Sequence, residues 1–223
     1  MSPAETTTTP PAAVPPAASA RGRIDKRRAI LAAATKVFAR EGYAQASVDM
    51  IAAEAGVAKP TIYNHLGGKE NLFRAVMEEA ARDSSEKVQA ALRSFPADPG
   101  DLRADLVAVA MRLVDCMIGE DAWALQRLLY AEAGHFPGLY ESVLVTGADR
   151  TADALAGRLA RLANAGHLEI ADPVRAAAHF QALIGSEIPS LTALGSRPID
   201  ASTLERAVAA GVDTFLRAFR PSR

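Results

Sequence analysis

One cysteine, Cys116, stands in 223 residues, which excludes an intramolecular disulfide and any cysteine-built metal site. A reducing cytoplasm is the expected compartment. Long hydrophobic runs are missing too: no purely apolar run is longer than Leu106–Met111, far short of the ~20 residues that span a bilayer, so no membrane partner is expected. Convincing strand patterns are absent, with Val143–Val145 the only brief β-branched cluster, and no internal repeat is visible. There is no phosphate loop and no dinucleotide fingerprint, and Ser186 after Gly185 lacks the strand-turn-helix setting of a nucleophile elbow. His135, His167 and His179 with Glu132 and Glu187 lack the helix-spaced pairing that gathers metal ligands. Catalysis, a resident metal and a cofactor are all expected to be absent.

What is there is ordinary globular material, 49% hydrophobic and 23% charged, in a chain long enough for one small domain and one larger one. Residues 1–20 are mostly Thr, Pro and Ala with Glu5 as their only charge; five prolines argue for a disordered tail rather than a signal helix. The net charge of -1 hides an asymmetry. Residues 21–74 carry ten Lys and Arg against five Asp and Glu, whereas residues 75–223 carry fifteen against twenty. A polyanion would be drawn to the first half and repelled by the second.

Apolar residues recur at helical spacing throughout, so the fold class is all-α. Ile30, Leu31, Ala34, Val37 and Phe38 share one face of a first helix from about residue 24, which Gly42 ends. Ser47 is a good N-cap for a short second helix with Val48, Ile51, Ala52 and Ala55 on one side and Gly56 as its stop. Pro60 sits in the first turn of a third helix that ends before Gly67-Gly68. A fourth starts at Lys69, with Leu72, Phe73, Val76 and Met77 on one side, and runs to Phe95-Pro96. Further helices are predicted near 100–118, 121–134, 138–165, 173–193 and 201–219, separated by Gly and Pro breakers.

Three short helices with a Gly-containing turn between the second and third have the layout of a helix-turn-helix. The blocks Ala29–Ala34, Phe38–Tyr43, Ser47–Ala52, Ala55–Lys59, Thr61–Leu66 and Lys69–Phe73, in this order and spacing, resemble the DNA-binding domain of the TetR family of bacterial regulators. The resemblance implies a tail (1–20), a DNA-binding domain (21–68) and a helical effector-binding and dimerisation domain (69–223). It also implies a recognition helix at Lys59–Leu66 that enters the major groove of double-stranded operator DNA, with Ser47 at a phosphate. A hydroxyl at a helix N-terminus both caps the backbone and can donate to an anion; a cap alone is the alternative. Asn64 and His65 suit base edges or phosphates, Thr61 a thymine methyl, and Lys59 and Tyr63 phosphates; Ile62 and Leu66 are expected in the core. Lys69 opposes the dipole of its own helix, a cost that a phosphate would offset. Arg21, Arg23, Lys26, Arg27 and Arg28 form a basic run that favours phosphate contact, with a solvated helix start as the alternative. The pattern departs from the family at Leu66, where an aromatic is common, and at Ala58 and Gly68, where a capping hydroxyl is missing.

In the C-terminal half, Met111, Trp123, Phe136, Tyr140 and Phe180 are candidates to line a cavity for a small-molecule effector, since helical domains hold ligands between helices. The last two long helices carry apolar stripes through Ala176, Phe180 and Ile184, and through Leu204, Val208, Val212, Phe215 and Phe219. The resemblance implies that these helices pair with a second subunit; an internal bundle would satisfy the same pattern. The expected function is a ligand-responsive repressor that binds a palindromic operator as a homodimer. The alternative is a helical small-molecule binding protein without sequence-specific DNA binding.

Overall fold

The structure, a computed structural model, describes residues 17–95 and 99–221. Residues 1–16, most of the expected tail, and the breakers Pro96 and Asp98 lie outside the described residues. The described residues are helical, with no strand among them. The order is α1 (Ala17–Gln45), α2 (Val48–Ala55), α3 (Lys59–Leu66), α4 (Lys69–Arg93), α5 (Leu102–Asp115), α6 (Glu120–Ala131), α7 (Pro137–Tyr140), α8 (Thr146–Asn164), α9 (Pro173–Gly185), α10 (Ile188–Leu191) and α11 (Ala201–Phe219). None is long and apolar enough to cross a membrane.

Local chemistry sets the boundaries. Gly42 (φ 75°, ψ 169°) breaks the helical path of α1 where the sequence places a stop. Gly56 takes the left-handed conformation (φ 65°, ψ 32°) that turns the chain from α2 toward α3, a conformation costly for any residue with a Cβ. Asp101, Asp172 and Asp200 cap α5, α9 and α11 by accepting backbone N–H bonds. Ala58 and Gly68 give α3 and α4 no side-chain cap, as their lack of a hydroxyl requires.

Three segments differ from the sequence expectation. Ala17–Ala20 form the first turn of α1, so that helix starts ahead of residue 21. The stretch expected as one helix at 138–165 is interrupted by a π turn at Glu141–Val145, which absorbs the β-branched cluster. That wider turn shifts the register, so Leu139 before it joins one core and Ala152, Leu155 and Leu159 after it join another. The helix expected at 173–193 is two, because Pro189 lacks an N–H and its ring would meet the carbonyl of residue 185.

Two hydrophobic cores result. The first gathers Ile30, Val37, Phe38, Ile51, Ile62, Leu72 and Phe73 from α1–α4 with Leu125, Leu128 and Leu129 of α6, Phe136 just before α7 and Leu139 within it. The second gathers Val88 and Leu92 of α4, much of α5, Trp123, and the inner faces of α8, α9 and α11. Thus α4 and α6 each contribute to both, and no core boundary falls at residue 69. The apolar stripe of α11 faces this second core: Val212 and Phe215 are fully buried within a single chain, with Phe215 edge-on to Phe180 at 5.0 Å. The internal-bundle reading of that stripe is the correct one.

α11 reaches α9 closely only because residue 211 is glycine. A Cβ there would lie 2.5 Å from the Leu183 carbonyl oxygen and 3.0 Å from the Ile184 Cα, both backbone atoms that cannot rotate aside. Helix propensity favours alanine over glycine by about 1 kcal/mol, but overpacking costs about 1–3 kcal/mol, so the steric term wins. Gly211→Ala is therefore expected to lower the urea midpoint of unfolding; an unchanged or raised midpoint would show that the two helices can part freely.

Candidate functional site

The exposed end of the first core is built around α3. Ile62 is fully buried and Leu66 half-buried against that core, which anchors the helix from below. The other side presents Lys59, Tyr63 and Asn64 to solvent, Tyr63 at 48% exposure, with Thr61 and His65 half-buried at its edges. Ser47 caps α2 by accepting the Met50 N–H at 3.2 Å, which leaves its own O–H free to donate elsewhere. Lys59 is paired with Asp49 of α2 at 2.9 Å; that hydrogen bond and then the carboxylate charge push its pKa up. Exposed pairs of this kind are weak and yield readily to a stronger anion.

Lys69 finds its partners inside the chain. Its ammonium donates to the Ala44 carbonyl at 3.0 Å and lies 4.6 Å above the centroid of the Tyr43 ring. These contacts offset the unfavourable helix-dipole position, so no phosphate is needed to account for it, although an ammonium keeps further donors to offer. Burial, and then Glu70 and Glu132, push the Tyr43 hydroxyl pKa upward.

The five residues expected to line one cavity divide between the two cores. Met111, Trp123 and Phe180 belong to the second core. Phe136 and Tyr140 belong to the first: Phe136 packs 5.1 Å from Tyr43 and 5.1 Å from Phe73, with the Arg74 guanidinium 5.0 Å from its ring, and Tyr140 lies against that core from outside. Phe136, the N-cap of the short helix α7, and Leu139 within it pack back under the α1–α4 head, a placement that helical periodicity cannot report. His135, exposed, bonds Glu132 at 2.8 Å.

Sequence reasoning missed two features. Trp123 is 5% exposed, and its Nε1 is, among the described residues, the one buried side-chain nitrogen or oxygen without a hydrogen bond. Its indole packs against Gly195, which follows Ala193 (φ 46°) and Leu194 (φ 55°), both in the left-handed region that strains residues with a Cβ. Arg127 of α6 holds this loop by donating to the Leu194 carbonyl at 2.6 Å. The second feature is an open groove of about 580 Å³ between α1 and α3, lined by Arg23, Ile24, Asn64 and His65. The basic run pointed to its α1 side; the pairing with α3 needed the fold.

Residues 30–76 match the family model described as bacterial regulatory proteins, tetR family, and residues 104–221 match that of the AefR-like transcriptional repressor C-terminal domain. The chain belongs to the TetR family. Members of that family bind operator DNA, act as dimers and bind small-molecule effectors. This TetR-family chain is 37% identical over 86 residues to the HTH-type transcriptional activator FasR of Mycolicibacterium smegmatis, covering 39% of each chain. It is 34% identical over 104 residues to the DNA-binding transcriptional repressor TetR of Mycobacteroides abscessus, covering 47% of this chain and 48% of that one. The matched stretches thus span less than half of these curated relatives. Among solved structures, a putative TetR-family regulator from Mesorhizobium loti superposes with a TM-score of 0.81 at 29% identity, covering 89% of this chain and 98% of that one. The flavonoid-responsive regulator FrrA does so with a TM-score of 0.66 at 29% identity, covering 89% and 99%. These are regulators, not enzymes.

The reassignment of Phe136 carries a measurable consequence. As a buried ring in the first core, its truncation in Phe136→Ala should cost about 3–5 kcal/mol of unfolding free energy. A loss below about 1 kcal/mol in urea unfolding would return Phe136 to a cavity wall.

Proposed function

We propose that this chain is a ligand-responsive repressor, a cytoplasmic homodimer that binds a palindromic operator through Lys59–Leu66 of each protomer and leaves the DNA when a small molecule enters its second core. The observation that carries the reading is the exposed polar face of α3 beside the basic start of α1, joined by α4 and α6 to that core. Asn64 and His65 read base edges, Thr61 meets a thymine methyl, and Ser47, Lys59, Tyr63 and Lys69 hold phosphates. The description of the matched C-terminal model as that of a repressor supports repression over activation.

The effector binds beside Trp123. Its buried, unpartnered Nε1 suits a ligand with an apolar body and one hydrogen-bond acceptor, and Met111 and Phe180 supply apolar surface in the same core. Phe136 and Tyr140 are not part of this site. The name of FrrA, flavonoid-responsive, supports a small organic effector without assigning its class. Because Leu125, Leu128 and Leu129 of α6 lie in the first core and Trp123 in the second, a ligand that displaces the indole moves the head. The two recognition helices of a dimer must sit about 34 Å apart to meet successive major grooves, so a small displacement suffices for release.

The test begins with DNA fragments selected by the purified protein, which should share a palindrome. Effector candidates are then titrated by Trp123 fluorescence with and without the selected duplex. For a compound that releases the DNA, the duplex should weaken its binding by the same factor by which it weakens DNA binding. Equal affinities in the two titrations would defeat the mechanism; failure to select any sequence would defeat the reading itself.

The dimer face is proposed on the outward sides of α9 and α11, where Ala178, Ala182, Ala210 and Ala218 are exposed and small enough for close helix packing. Ala182→Glu should give a monomer by light scattering with unaltered helical circular dichroism. A dimer of wild-type stability would move the interface elsewhere.

A further inference from the structure

The buried N–H of Trp123 lies under the loop of residues 192–197, between α10 and α11. Gly195 of that loop sits so close to the indole that a Cβ there would coincide with the Cβ, Cγ and Cδ1 of Trp123. Cδ1 is the ring atom bonded to Nε1, so an acceptor that approaches this edge meets residue 195 first.

The base of the loop is fixed and its tip is strained. Thr192 is buried; its hydroxyl donates to the Ile188 carbonyl at 2.8 Å, and the Arg197 guanidinium donates to the Leu191 carbonyl at 2.9 Å. At the tip, Ala193 and Leu194 hold left-handed φ angles of 46° and 55°, and Leu194 exposes 49% of its surface. Such a conformation persists only where its surroundings enforce it. Two bonds do so here: the Gly195 N–H donates to the Thr192 hydroxyl at 3.1 Å, and Arg127 of α6 donates to the Leu194 carbonyl at 2.6 Å. Arg127 lies one turn beyond Trp123, on the same side of α6. Arg127 and Arg197 both spend donors on neutral carbonyls of this segment, and neither makes an ion pair among the described residues.

We propose that residues 192–197 form a lid over the effector site with Arg127 as its latch, and that the effector is an organic anion with an apolar body. An anionic acceptor binds a guanidinium more strongly than a neutral carbonyl does, so it draws Arg127 away from Leu194. The same anion accepts from the indole N–H, which the closed lid leaves without an acceptor. Release of the latch frees the strained tip, so ligand entry and lid opening are one event. This rests on the effector site proposed above and adds the charge of its ligand and the way in.

The test uses the full chain and two probes that differ by one group, anilinonaphthalene sulfonate and its uncharged parent N-phenylnaphthylamine, each titrated by its own fluorescence. Trp123 is the only tryptophan in the chain, so acrylamide quenching reads the lid with no ligand present. The wild-type protein should bind the sulfonate about tenfold more tightly than the parent. Arg127→Ala should remove that preference by weakening the sulfonate alone, and should raise the quenching of Trp123 about twofold as the tip opens. Arg127→Lys keeps the charge and should restore most of the preference. Trp123→Phe keeps an aromatic ring without the N–H and should weaken the sulfonate about fivefold without weakening the parent. Equal wild-type affinities for the two probes, or a preference that survives Arg127→Ala, overturn the anion. Quenching unmoved by Arg127→Ala, with circular dichroism unchanged, overturns the lid. DNA selection is a separate readout: a protein that passes these tests and selects no duplex keeps the lid and loses the repressor reading, whereas one that fails them and selects a palindrome loses this inference alone.

Discussion

Everything in this chain hangs on two helices that are buried at both ends in different cores. Leu72, Phe73, Val76 and Met77 fix the start of α4 in the first core, and Val88, Ala91 and Leu92 fix its end in the second. A helix of 25 residues is about 37 Å long and stiff, so its two ends cannot be repositioned independently. α6 repeats the arrangement over a shorter distance, since Trp123 and Leu125 are two residues apart yet belong to different cores. Close-packed interiors transmit displacement rather than absorb it. The head and the C-terminal core are therefore one mechanical object, joined by α4 and α6, while the aromatic group of Phe38, Tyr43, Phe73 and Phe136 ties the start of α7 into the head.

The polar groups divide by how firmly they are held. Lys59 rests on an exposed partner, Asp49, which water screens and an incoming phosphate can displace. Lys69 is held by a carbonyl and an aromatic face, so its position is set within the chain. Trp123 is the opposite case, a buried donor with no acceptor, and a buried N–H left unbonded costs about 1–3 kcal/mol. That cost, with the strained Ala193 and Leu194 beside it, gives the second core a state that a suitable acceptor would relieve.

The local code was legible in the residues. Ser47, Gly56, Pro60 and the Gly67-Gly68 pair delimit α2 and α3 through short-range chemistry, and the charge asymmetry marks the head as the end suited to a polyanion. Ile62 was assignable to the core and Tyr63 and Asn64 to the surface, because a helix of eight residues with one anchoring face leaves few choices. The missing hydroxyls at Ala58 and Gly68 likewise foretold uncapped helix starts.

What periodicity alone does not contain is the identity of the surface that an apolar stripe meets. Phe136, between α6 and α7, has the same local sequence whether it faces Trp123 or Tyr43, and Val212 and Phe215 the same helical spacing whether they face a second subunit or α9. The sequence by itself determined the all-α class, the three-helix head and the exposed polar side of α3, since these depend on contacts a few residues apart. The tertiary structure alone decided the π turn that redirects the chain after α7, the division of the aromatic residues between two cores, the meeting of Arg23 with Asn64 across a groove, and the isolation of the Trp123 N–H. Each of these brings together residues far apart in the chain, and their contacts follow from how whole helices pack, which no local pattern encodes.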